Sequence, residues 1–140
     1  MSLHIIARDH EGIEVLDLNG RLILGQEDLD FRSELDRLVA AGKIRIALNL
    51  AELHRLDTVG LGTLLFALAK LRNLGGNLTI FNLKPAHIEV LTAARLETVF
   101  EAFEDEQEAI DSFFPDREVK RFDILAFVES QAPKERRNSL

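Results

Sequence analysis

Cysteine, tryptophan and tyrosine are absent from this sequence. Without cysteine there is no disulfide, no thiolate metal ligand and no cysteine nucleophile. A reducing, cytoplasmic setting is consistent with that composition. Every aromatic residue is a phenylalanine, 6% of the chain, so platforms for stacking bases or sugars are scarce. Positive charge is also in short supply: 17 Lys and Arg against 24 Asp and Glu leave a net charge of −7. Broad binding to nucleic acid or to an anionic membrane needs a basic footprint, which argues against both. The terminal "KERRNSL" is a short basic cluster that reads as a solvated tail. No apolar run is long enough to span a bilayer. The opening "MSLHIIARDHEG" lacks the basic start and the apolar stretch of a signal peptide.

Catalytic constellations are missing as well. The histidines, His4, His10, His54 and His87, are scattered without metal-ligand spacing. "HIEVL" lacks the second histidine of the HExxH motif, and there is no GxxxxGK[ST] phosphate loop. "GLGTLL" shares only GxG with the dinucleotide fingerprint. The carboxylates of "EAFEDEQEAID" are explained by a solvated helix face. The expectation is a protein that is not an enzyme and uses no cofactor or metal.

What is present is patterned. A chain of 140 residues suits one domain with a sizeable core. "LHIIARD" and "IEVLDLNGRLIL" read as strands around the turn "DHEG", an N-terminal hairpin. "GQEDLDFRSELDRLVAAGK" shifts to the helical period, with Phe31, Leu35, Leu38 and Val39 on one stripe and Gly42 as the stop. "KIRIALNL" alternates strictly, as a strand covered on one face by helices does. "AELHRLDT" reads as a loop, and a helix with a leucine stripe runs from Val59 to Leu74, ended by Gly75-Gly76. "NLTIFNL" is a further strand, and the next helix opens on Pro85. "ETVFEAF" gives a short strand, then a helix with Ala109, Ile110, Phe113 and Phe114 inward. The order β-β-α-β-α-β-α-β-α predicts an α/β fold: a mixed sheet with an N-terminal hairpin and helices packed against it. Residues 3–114 are expected to form this domain, 115–131 an appended helix with Phe122, Leu125 and Val128 on one face, and 132–140 a disordered tail.

The junction "LDTVGLG", Leu56–Gly62, concentrates what remains. If Val59 is the first helical residue, Thr58 is the N-cap, and its hydroxyl accepts a hydrogen bond from the N–H of Gly60 or Leu61. The same geometry suits a switch. A phosphate on a hydroxyl at a helix start is tolerated by the helix dipole, whereas a docked partner would not tolerate it. Gly60 and Gly62 lower helix propensity, which points either to close approach of another surface or to tight packing on the sheet.

These residues resemble those of the STAS superfamily, specifically the bacterial anti-sigma factor antagonists, with D-S-[ST]-G-[LIV]-G at this junction. Asp57, Thr58, Gly60, Leu61 and Gly62 fit that motif. Gly75, Gly76, Asn82, Pro85, Glu108, Ala109 and Ile110 fit the later positions, and the similarity covers roughly residues 3–114. The resemblance implies partner switching. The unphosphorylated antagonist binds an anti-sigma factor that is also a serine/threonine kinase, and a sigma factor is freed. ATP-dependent phosphorylation releases the antagonist, and a phosphatase resets it. Carried over, Thr58 is the phosphoacceptor, and Asp57, Val59, Gly60, Leu61 and Gly62 form the partner-binding loop. The sequence departs from the family in three ways: Thr stands for the commoner Ser at 58, Val59 replaces a second hydroxyl residue, and Ile23 stands where many members are acidic. A second reading keeps the fold but makes the chain a scaffold or adaptor in another signalling complex, with the C-terminal extension supplying a homo-oligomer surface.

Overall fold

The computed structural model describes residues 2–131; the expected tail, 132–140, lies outside them. The hairpin forms as patterned. Strands β1 (Leu3–His10) and β2 (Ile13–Leu22) pair antiparallel, from Leu3 opposite Gly20 to His10 opposite Ile13. Helix α1 (Gln26–Ala40) follows, then β3 (Arg45–Asn49), β4 (Leu53–Leu56), α2 (Thr58–Asn73), β5 (Asn77–Phe81), α3 (Pro85–Ala93), β6 (Glu101–Phe103), α4 (Glu106–Asp111) and α5 (Ile124–Ser130). The sheet runs β1-β2-β3-β5-β6, parallel from β2 onward. The fold is the mixed α/β sheet that the alternation predicts.

Strand β4 corrects the reading of "AELHRLDT" as a loop. It pairs with β2 beyond the end of β3, with a register break between Gly20 and Arg21. Gly20 makes the bend possible: its φ is 114°, and its N–H donates to the Glu52 carbonyl at 3.0 Å. Four residues with only Leu53 buried are too few to display a period.

The helices divide between the two faces of the sheet. Phe31, Leu35 and Leu38 of α1, the leucines of α2, and Ile88 and Leu91 of α3 pack on Leu16, Leu18, Ile46, Leu48, Leu78 and Ile80. The alternate residues Ile13, Val15, Ala47, Phe81 and Phe103 meet Ala109 and Ile110 of α4 on the opposite face. Strand β3 is therefore covered on both faces, not one, and the small Ala47 concealed this in the sequence. Helix α4 is also shorter than its pattern implied; Phe113 and Phe114 lie past its end but still pack on that second core.

The extension after Pro115 folds back along β6. Arg117 bridges Glu11 at 2.7 Å and Asp111 at 2.9 Å, and Arg121 reaches Glu101 at 3.1 Å. The Phe122 N–H donates to the Ala102 carbonyl at 2.8 Å, on the free edge of β6. Asp123 caps α5 through the Ala126 N–H at 2.9 Å, so this helix starts later than the apolar pattern suggested. Its packed side is Ile124, Phe127 and Val128, with Phe122 just before it, while Leu125 is exposed.

Candidate functional site

The start of α2 lies where β2 and β4 end together. Asp57 has extended backbone (φ −101°, ψ −179°) and its Oδ1 accepts the Gly60 N–H at 2.8 Å. Its carbonyl accepts the Leu61 N–H at 2.9 Å, the first full helical bond. Asp57, not Thr58, is thus the N-cap, and the expected cap is displaced by one residue. A carboxylate outcompetes a hydroxyl for that place, because the charge also interacts with the helix dipole. Thr58 becomes the first helical residue, exposed, and its hydroxyl has no hydrogen-bond partner among the described residues.

Asp57 also reaches across the chain. Its Oδ2 accepts the Leu24 N–H at 3.1 Å, and its own N–H donates to the Leu22 carbonyl at 3.4 Å. One carboxylate therefore caps α2 and tethers the loop between β2 and α1. The sequence does not announce this contact, because it spans 33 residues and Leu24 carries no polar side chain.

The remaining motif residues divide by direction. Gly60 and Leu61 face inward: Leu61 belongs to the core, and a methyl group on Gly60 would collide with the Leu22 carbonyl oxygen. Tight packing is the reason for the first glycine. Gly62 is exposed, with open space where its side chain would be, and Val59 is partly exposed. The next hydroxyl, Thr63, is fully buried and occupied. It donates to the Asp28 carboxylate of α1 and lies 3.1 Å from the Val59 carbonyl. That bond clasps α1 to α2 and leaves Thr58 as the junction's outward hydroxyl. Farther along, Arg32 of α1 stacks over the exposed Phe66 of α2, 4.9 Å from the ring centroid.

The other ionisable clusters are structural. Buried His87 accepts the Lys84 N–H at Nδ1 (2.9 Å), so its proton is on Nε2 and is donated to the Leu53 carbonyl at 2.7 Å. Burial pushes its pKa below the ordinary value. On the far face, Arg8 spans Glu106 and Asp17 and holds both carboxyls below the usual range. Those bonds fasten α4 to the hairpin. Among the described residues, no group of three or more His, Cys, Asp or Glu is placed to hold a metal, and no helix is long and apolar enough to cross a membrane.

The family model described as the STAS domain matches residues 4–109. No curated protein is significantly similar to the chain. Solved structures share its fold. A Thermotoga maritima protein is 18% identical with a TM-score of 0.72, over 77% of this chain and 92% of that one. An anti-sigma factor antagonist from Mycobacterium paratuberculosis is 19% identical with a TM-score of 0.70, over 79% and 92%. The Bacillus cell fate determinant SpoIIAA in its phosphorylated form is 21% identical with a TM-score of 0.61, over 79% and 99%.

Proposed function

The chain belongs to the STAS domain family, and from that premise we propose that it is an anti-sigma factor antagonist switched by phosphorylation of Thr58. The exposed hydroxyl of Thr58 at the first position of α2 is the observation that carries this reading. The structural neighbours from Mycobacterium and Bacillus, one an antagonist by name and the other a phosphoprotein, support it.

In this reading the unphosphorylated form covers a kinase-type anti-sigma factor and so frees a sigma factor. Phosphoryl transfer then joins the Thr58 Oγ to the γ-phosphorus of ATP. The bond from that phosphorus to the β–γ bridging oxygen breaks, ADP leaves, and the hydroxyl proton passes to solvent or to a base on the kinase. The product carries about −1.5 to −2 added charges. Those charges fall beside Asp57, whose carboxylate already occupies the Gly60 and Leu24 amides. The first turn, Thr58–Leu61, contains no basic side chain to neutralise them. The helix dipole keeps the fold intact, while a partner surface lying over Thr58 meets an unpaired dianion and is released. A phosphatase restores the hydroxyl. The setting is the cytoplasm, where ATP and sigma factors meet.

The test is to incubate the protein with ATP, Mg²⁺ and each purified kinase-type anti-sigma factor of its source organism, and then to map the phosphate by mass spectrometry. Phosphate on Thr58, abolished in Thr58→Ala, is expected. No transfer from any of these kinases, or transfer only to other residues, contradicts the proposal.

A further inference from the structure

The tether between Asp57 and the β2–α1 loop has a consequence for how a partner is recognised. We infer that Leu24 is a direct contact of the surface that binds the kinase-type anti-sigma factor, and that Asp57 is the positioning residue that presents it beside Thr58. The inference rests on the partner-binding reading above.

Leu24 is the most exposed large apolar side chain among the described residues, at 70%. A leucine on a mobile loop would need no explanation, but this loop is fixed on both sides. The Leu24 N–H is bonded to Asp57 Oδ2 at 3.1 Å, and the preceding Leu22 carbonyl accepts the Asp57 N–H at 3.4 Å. The following Gly25 has φ 122° and ψ −141°, a conformation that only glycine adopts without strain, and α1 begins at the next residue. The chain thus holds an apolar side chain out in water at a defined place.

That place adjoins the phosphoacceptor. Asp57, which holds the Leu24 amide, immediately precedes Thr58, and Val59, 37% exposed, immediately follows it. Phosphoryl transfer requires the kinase to bring its nucleotide within bonding distance of the Thr58 Oγ. A protein surface in that position also covers the Leu24 loop. The chemistry it must offer is an apolar cleft next to its own nucleotide site, able to receive Leu24 and Val59. Fixing the loop in advance lowers the ordering cost of such a contact.

The measurement is the affinity of the full chain for the purified kinase-type anti-sigma factor, compared across three variants. Leu24→Asp should weaken binding by about tenfold or more while melting as wild type does. Leu74→Asp, an exposed leucine at the opposite end of α2, should leave binding unchanged. Asp57→Asn keeps one acceptor oxygen in place of two. It should speed hydrogen exchange at the Leu24 amide and weaken binding, while amides farther along α2 stay protected. Wild-type affinity in Leu24→Asp, or unchanged Leu24 exchange in Asp57→Asn, overturns the inference and leaves the switch reading standing. If none of these anti-sigma factors binds the wild-type chain, the partner reading fails as well, and the inference with it.

Discussion

At the scale of single residues, the junction can be separated into groups that hold the helix and groups that are left to act. Asp57 has both carboxylate oxygens engaged, so Asp57→Ala should cost about 0.5–2 kcal/mol in urea unfolding. Thr58→Ala, an exposed change with no hydroxyl partner to lose, should stay within about 0.5 kcal/mol. Equal losses in the two variants would restore Thr58 as the cap. The glycines separate in the same way. Gly60→Ala forces a methyl group against the Leu22 carbonyl and should destabilise by about 1–3 kcal/mol. Gly62→Ala points into open space and should stabilise by up to about 1 kcal/mol. His87 supplies a pH signature. Buried and neutral, it has a folded pKa below the ordinary 6.5. Below pH 6.5 the unfolded chain takes up a proton that the folded chain resists, so stability falls as pH drops from 6.5 toward the folded pKa and is flat above the ordinary value. Asp17 and Glu106 act lower. Their depressed pKa values contribute stability that is lost only as pH falls through and below their ordinary values of 3.8 and 4.5. Urea unfolding of wild type and His87→Gln across pH 5–7 isolates the first effect, since the variant should lack that slope. The sequence singled out this junction but assigned the cap to the wrong neighbour. Asp57 and Thr58 are both good N-caps, and a one-residue shift in helix start leaves no mark in the sequence.

At the scale of elements, what could be read depended on how clearly each segment displayed its period. The hairpin strands, α1 and α2 each appear where the pattern put them. Strand β4, four residues long, gives its period no room to emerge, whereas α4 was read as a helix but made too long. Helix α5 was read on the wrong face for a different reason. Its packed side includes Phe122, which belongs to the segment crossing β6 rather than to the helix, so one apolar stripe was assembled from two elements. This extension is secured by Ile124, 2% exposed, and by the Phe122–Phe127 ring pair at 5.6 Å. Ile124→Ala should therefore cost about 2–5 kcal/mol in urea unfolding. A change below about 0.5 kcal/mol would mean that the extension does not pack on β6 as described.

At the scale of the whole molecule, the parallel strands deliver the loop after β2 and the start of α2 to one end of the sheet. This is how an amide at Leu24 and a carboxylate at Asp57 become neighbours. The motif positions that face inward, Gly60 and Leu61, hold α2 to the sheet; Thr58, Val59 and Gly62 face outward and are exposed. The motif alone does not show this division, because the helical period, not the order of the motif, sets which side chains turn toward the sheet. The proposed switch requires that charge on Thr58 controls binding without disturbing the fold. Calorimetric titration of one kinase-type anti-sigma factor with the unmodified protein, its Thr58-phosphorylated form and Thr58→Ala tests it most directly. The unmodified and Thr58→Ala proteins should bind alike, and the phosphorylated form should bind at least about tenfold more weakly while melting just as cooperatively. Equal binding by the phosphorylated form would contradict it.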